Sequence, residues 1–298
     1  MRHAILGAGG VGGLIGVALA KAGESVTMVL RPGTLKNYPS ELTLENAVGQ
    51  FSVPVERAET VALSFDVLWL TVKATHLDAA LRSVLVKPEQ LGAIVPLLNG
   101  IDHVALLRAK FGRDRVVPAA IRVEAERVAP GKFLIGAMAT RLNVSALGES
   151  RLASTLEQLR QFGIKCQFDA DEMKLLWSKL VILGPLALTT TASSMTVGEI
   201  CASTEWRRRL EGAVREACAV STASGPPFDA NEIIAICDKV PPGSRSSMQK
   251  DVAAGNPPEL DAIAGPILRG GKEHGLATPF TQELAEMVRR KSTTPSRA

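Results

Sequence analysis

The chain holds one tyrosine in 298 residues, aromatic residues make up 4% of it, and its four cysteines are Cys166, Cys201, Cys218 and Cys237. None of the cysteines has C-x-x-C or metal-finger spacing, so a disulfide scaffold, a zinc module and a dithiol redox centre are not indicated. Each sits among apolar or helical residues, as a small hydrophobe would. No metal ligand set is expected. A formal net charge of +4 is mild, and the basic residues are scattered apart from Arg207-Arg208-Arg209 and Arg289, Arg290, Lys291 and Arg297. That lacks the footprint of nucleic-acid binding. The triple arginine, which follows Trp206, reads as a solvated face or a contact with a partner subunit, and the tail from Ser292 to Ser296 reads as frayed. Apolar stretches break off before the roughly eighteen residues of a membrane span, and no charged leader with a cleavage site precedes the first strand. A cytoplasmic protein that does not enter membranes is expected.

With 46% hydrophobic residues, 298 residues can bury substantial cores, and that length favours two domains. The N-terminal stretch is the most informative. An apolar run, His3-Ala4-Ile5-Leu6, meets Gly7-Ala8-Gly9-Gly10-Val11-Gly12. In a dinucleotide clamp the first glycine permits the strand-to-helix turn, the second lets backbone approach a pyrophosphate, and the third lets the helix pack on its strand. These roles fall to Gly7, Gly9 and Gly12, while unpaired amides at the helix start, from Gly10 and Val11 onward, face the phosphates. Leu14, Val17 and Ala18 continue with helical spacing, Gly23 can cap, and Ser25 to Leu30 reads as a second strand. An NAD site usually has an acid about twenty residues past the glycines. Arg31 stands there instead, suited to the 2′-phosphate of NADP.

Further strand candidates are Phe65 to Val72, Ala93 to Leu98, Val116 to Ile121, Phe133 to Ile135 and Leu142 to Ala146, alternating with helical segments as in a doubly wound parallel sheet. Ligands in such sheets lie beyond the carboxyl ends of strands, where Lys73 and Asn99-Gly100 stand. From Asp169 onward helical periodicity dominates, which places a boundary between a Rossmann domain, 1–168, and an all-helical domain, 169–298. Asp171 and Glu172 suit a helix start ahead of an apolar stripe of Met173, Leu176, Trp177, Leu180 and Val181. Gly184-Pro185 is expected to interrupt that helix. Later helices are expected at Glu205 to Thr222, Asn231 to Lys239, Pro258 to His274 and Pro279 to Lys291. His274-Gly275 reads as a helix end rather than a catalytic histidine.

Taken in order, Arg31, Val72-Lys73-Ala74, Leu98-Asn99-Gly100, Trp177-Ser178-Lys179-Leu180, Gly198-Glu199, Ser246 to Asp251, Glu259 with Asp261, and His274-Gly275 before Pro279 resemble the ketopantoate reductase family over nearly the whole chain. The resemblance implies NADPH-dependent reduction of a 2-keto acid with Lys179 as general acid. An ammonium held away from water can stabilise and protonate the oxygen left negative by hydride transfer. By the same resemblance Glu259 hydrogen-bonds a substrate hydroxyl or orients Lys179, Ser247 meets the substrate carboxylate, and Asn99 sits between nicotinamide and substrate. Lys73 and Asn99 are candidates on both the cofactor and the substrate side, and a homodimer is left open. The family commonly has asparagines where this chain has Leu183, Ala187 and Val197. A substrate more apolar than ketopantoate is therefore expected, because a site without hydroxyl partners loses its discrimination for a hydroxyl. Two alternatives stay open: an NADP-binding sensor without catalysis, and a 3-hydroxyacid dehydrogenase, against which Leu183 counts. The Tyr-x-x-x-Lys of short-chain dehydrogenases is excluded, because Tyr38 is followed at that spacing by Leu42.

Overall fold

A computed structural model describes residues 1–47 and 49–293; residues 294–298, with Arg297 and most of the tail expected to fray, lie outside the described residues. Two compact units emerge, one of Met1–Leu98 with His103–Leu175 and one of Asn99–Asp102 with the chain from Leu176 onward.

The first unit runs β1 (Arg2–Leu6), α1 (Gly10–Lys21), β2 (Ser25–Val29), β3 (Glu41–Asn46), β4 (Gly49–Pro54), β5 (Glu56–Ala58), β6 (Phe65–Leu70), α2 (Leu77–Leu81), β7 (Leu91–Pro96), α3 (His103–Phe111), β8 (Ala119–Arg122), β9 (Ala125–Ala129), β10 (Lys132–Ile135), β11 (Arg141–Ser145), α4 (Glu149–Gln161) and β12 (Lys165–Asp169). Its main sheet is wholly parallel in the order β5-β2-β1-β6-β7. The near-continuous apolar strands follow from burial on both faces. Ile5, Val67, Trp69 and Val95 enter one core, while Ala4, Leu6, Leu68, Leu70 and Ile94, the alternating positions, enter another. The sheet is Rossmann-like.

The later strand candidates do not join that sheet. β10 belongs to a four-stranded sheet β4-β3-β10-β9, and β8 and β11 belong to a three-stranded sheet β12-β11-β8. Val116 makes only an isolated bridge to Ile94. Burial alternates along β10, as suits a sheet with one wet face rather than a doubly covered strand.

The described residues beyond β12 form helices and connecting loops: α5 (Glu172–Ser193), α6 (Val197–Ala202), α7 (Thr204–Ala223), α8 (Ala230–Asp238), α9 (Ser247–Ala253), α10 (Leu260–Glu273) and α11 (Pro279–Thr293). The division falls inside α5 rather than at 168/169, because Arg108 and the Ser145 hydroxyl both bond Glu172 at 2.8 Å and tie the first turn of α5 to the first unit. Contrary to expectation, α5 runs unbroken through Gly184-Pro185. Burial in two apolar clusters of the second unit outweighs the backbone bond lost at proline. α5 is also long and apolar enough to cross a membrane, with mean hydropathy 1.4 over a window that is 78% buried. Its apolar face is covered by the helices around it.

In the Arg207–Arg209 run Arg208 is exposed, as a solvated face predicts, but its two neighbours tie helices together. Arg207 bonds Glu211 and Asp238, and Arg209 bonds Glu205 and Glu283, so α7 is pinned to α8 and α11. Cys218 and Cys237 are buried, and burial pushes their thiols up to about 11 and about 12, as it pushes the half-buried Cys166 up to about 11. These are packing residues.

Candidate active site

In the first unit, β1 ends at Leu6 and Gly7 turns the chain with φ +121°, a conformation L side chains rarely adopt. A Cβ on Gly7 would also meet the Thr71 carbonyl carbon and Val72 nitrogen at 2.8 Å. Thr71, just past β6, donates its hydroxyl to the Gly7 carbonyl at 2.8 Å and its amide to Leu6 at 2.9 Å. This brace was not anticipated. A Cβ on Gly12 would stand 2.0 Å from the Gly7 oxygen, and one on Gly10 would stand 2.4 Å from the Ala125 oxygen, so both glycines admit neighbouring backbone.

Gly9 differs, because nothing lies within 4 Å of the Cβ it lacks. It is the N-cap of α1, no side chain caps the helix, and no acid occupies its first turn. The first-turn amides from Gly10 and Val11 therefore meet no side-chain cap, and the approach past Gly9 is open to an anion. Arg31 is exposed two residues past β2, its carbonyl held by the Thr34 amide at 3.1 Å and the Thr34 hydroxyl at 2.6 Å. Lys73 is half-buried past β6, where its carbonyl accepts from the His76 amide at 2.9 Å. Together with the glycine turn, these residues fit a dinucleotide.

The second unit assembles the other group. Asn99 Nδ2 donates to Glu259 Oε2 at 3.0 Å across 160 residues of chain. Glu259 is 6% exposed and stands at the N-cap of α10, yet its carboxylate does not cap that helix. Helix capping therefore does not account for this acid. Three features hold the pair. A Cβ on Gly100 would stand 2.3 Å from the Ala262 carbonyl oxygen, so this segment lies directly on the first turn of α10. Arg269 bonds both Asp102 and Asp261, closing the segment onto the same helix. Gly184 lets α5 approach, since a Cβ there would meet the Ile267 side chain at 3.1 Å. Neither Gly184 nor Arg269 stood out in the sequence as a site residue.

Lys179 lies half-buried on α5 between buried Trp177 and Leu180, and Leu183 is one turn further along. Leu183 packs on the apolar cluster of Ala187, Ile263 and Ala264, which Leu260 also joins. Ala187 is 1% exposed, and Val197, the first residue of α6, is 4% exposed. Of the three positions lacking asparagine, Leu183 and Ala187 therefore belong to one apolar cluster, and Val197 is buried apart from it. Ser247 is exposed as the first residue of α9. Its neighbour Ser246 caps α9, bonding the Gln249 amide at 3.1 Å and accepting from Thr190 at 2.8 Å. Among the described residues no cluster of His, Cys, Asp or Glu is arranged to hold a metal ion.

Residues 3–149 match the family described as "Ketopantoate reductase PanE/ApbA", and residues 171–292 match "Ketopantoate reductase PanE/ApbA C terminal". A 2-dehydropantoate 2-reductase of Caulobacter vibrioides is 30% identical over 293 residues, which cover 96% of this chain and 97% of that one. Two solved structures share the fold. One is a D-mandelate dehydrogenase with NADH and anilino(oxo)acetate, with TM-score 0.87, 22% identity and 98% of each chain covered. The other is a 2-dehydropantoate 2-reductase from Geobacter metallireducens, with TM-score 0.86, 24% identity, and 97% of this chain and 99% of that one covered. The chain belongs to the ketopantoate reductase family of oxidoreductases.

Proposed function

We propose that this protein is an NADPH-dependent reductase of a 2-oxo acid, ketopantoate or a more apolar relative, yielding the 2-hydroxy acid. The observation that carries the reading is the Asn99–Glu259 pair, a half-buried amide and a buried carboxylate brought together from distant parts of the chain without a capping duty. The first-turn amides of α1, reached past Gly9, hold the pyrophosphate, and Arg31 pairs with the 2′-phosphate. Bound NADPH supplies the hydride. Lys179 Nζ hydrogen-bonds the keto oxygen, stabilises the negative charge that develops there and delivers the proton that completes the hydroxyl. Glu259, steadied by Asn99, orients Lys179 or holds a substrate hydroxyl. Lys73 and Asn99 flank the nicotinamide and the substrate, and Ser247 meets the carboxylate.

The apolar stripe of Leu183 and Ala187 beyond Lys179 favours an aryl or branched alkyl group on the oxo acid over the hydroxyl of ketopantoate. The mandelate dehydrogenase, whose structure holds an aryl oxo-amide acid, gives that class a precedent on this fold.

Thermal-shift titration of the full chain with NADPH and NADH, followed by nicotinamide oxidation with ketopantoate and phenylglyoxylate, tests the reading. NADPH should stabilise more than NADH, phenylglyoxylate should turn over at the higher kcat/KM, and Lys179→Ala should lower kcat by about 10²–10⁴-fold. Undiminished turnover in Lys179→Ala would remove its acid role. NADPH binding without turnover across a broad panel would make the chain a nucleotide-binding protein that has lost catalysis.

A further inference from the structure

The β12-β11-β8 sheet of the first unit turns Ile121, Leu142 and Val144 into the core and leaves its other face polar. Register sets Arg122 opposite Arg141, and Arg141 opposite Lys165, so three cations stand in one row of that face. Like charges placed directly opposite each other destabilise a sheet. Their burial does not explain them, since Arg141 and Lys165 are exposed, and neither side chain has a hydrogen-bond or ion-pair partner among the described residues. Arg122 is half-buried, and burial first, then the charge of Arg141, hold its guanidinium below the usual arginine range while Asp169 opposes them.

Asp169 is the acid that acts on Arg122, the half-buried member of the row. Asp169 accepts from Asn143 at 2.7 Å and Gln167 at 3.3 Å, and Glu157 is paired with Arg160 at 3.1 Å. The row opens on a cavity of about 530 Å³ lined by Arg122, Arg141, Asn143, Arg160, Lys165 and Gln167. That volume is within the range of small-ligand sites, about 300–1,000 Å³. Neighbouring strands are about 4.8 Å apart, so three adjacent cations extend over about 10 Å, more than one phosphoryl group can engage. Guanidinium forks match phosphoryl oxygens in pairs, and the two amides can fix orientation.

We propose that this face is a second ligand site, for a small molecule bearing two linked phosphoryl groups: inorganic pyrophosphate or a nucleoside diphosphate. Asp169, two rows along the same face, disfavours a long polyanion that would continue past the cavity.

Calorimetric titration of pyrophosphate and of ADP into the full chain tests this, with Arg141→Ala/Lys165→Ala and Lys165→Glu variants in one arm and Gly9→Ala, which obstructs the dinucleotide loop, in the other. Both site variants should weaken pyrophosphate at least tenfold with Tm unchanged or raised, because repulsion is relieved. Gly9→Ala should leave that binding intact. Tighter binding of ADP than of pyrophosphate assigns a nucleoside diphosphate, and equal binding assigns pyrophosphate alone. Pyrophosphate affinity that falls only in Gly9→Ala, absence of binding, or binding of a single-stranded oligonucleotide in place of pyrophosphate would overturn the proposal.

Discussion

Substituting alanine separately for Gly9 and Gly12 tests the dinucleotide loop with opposite expected signatures. At Gly12 the added methyl would sit 2.0 Å from the Gly7 oxygen and 2.6 Å from the Thr71 hydroxyl, where ordinary contact begins at 3.4 Å. The obstruction is backbone, so α1 must shift off its strand. Overpacking of this kind costs about 1–3 kcal/mol or more, and the better helix propensity of alanine returns about 1. With the obstruction being rigid backbone the cost falls at the upper end, and the net loss of about 2 kcal/mol lowers Tm by about 4–8 °C for a unit of this size. At Gly9 the methyl meets nothing within 4 Å, and φ −85°, ψ −174° is open to alanine. Its N-cap cost and the reduced freedom of the unfolded chain nearly cancel, leaving Tm within about 2 °C. The methyl would instead occupy the space through which phosphates approach the α1 amides. Nucleotide affinity should fall at least tenfold, which is about 1.4 kcal/mol. Differential scanning fluorimetry with and without NADPH measures both quantities on the same samples. A Gly9→Ala chain that binds NADPH as tightly as the parent would refute the approach path, whatever Gly12→Ala does.

Three further outcomes are expected. Asn99→Ala should destabilise by about 1–3 kcal/mol by stripping a donor from a buried carboxylate, and by less in a Glu259→Gln background; a double-mutant cycle in urea showing no coupling would contradict the pairing. Leu183→Asn should raise kcat/KM for ketopantoate relative to phenylglyoxylate at least tenfold, and an unchanged ratio would remove Leu183 from substrate choice. His3 is fully buried with Nδ1 accepting from Trp69 at 3.3 Å, and burial, opposed by Glu24, brings its pKa down from 6.5 to about 4. Its folded pKa lies below the unfolded one, so its contribution is complete above about pH 6.5, falls as pH drops toward 4 and levels off below. The loss amounts to at most about 3 kcal/mol, and His3→Gln and parent chains with parallel urea stabilities across that window would exclude it.

The parts of this protein that could be read from its sequence are those whose cause is local. The Gly7–Gly12 turn, the flanking strands and the Gly23 and Gly275 helix ends, with φ +86° and +67°, each depend on a few adjacent residues. Two unanticipated helices were also written locally. Thr196 and Glu199 form a capping box ahead of α6, and Ser246 caps α9 through Gln249. The β3–β4 hairpin had its signal in the alternation of Leu42 and Leu44 with Thr43 and Glu45. Long-range features were beyond that reach. Nothing near Asn99 shows that its amide meets a carboxylate 160 residues away, and nothing near Arg269 shows that it holds Asp102 across 167. The Arg122–Arg141–Lys165 row is the sharpest case, because each cation alone reads as a solvated strand end. Only register makes them neighbours. A chain can thus disclose its cofactor loop within thirty residues, while the groups that choose a substrate, or would bind a second ligand, depend on pairings no local pattern encodes.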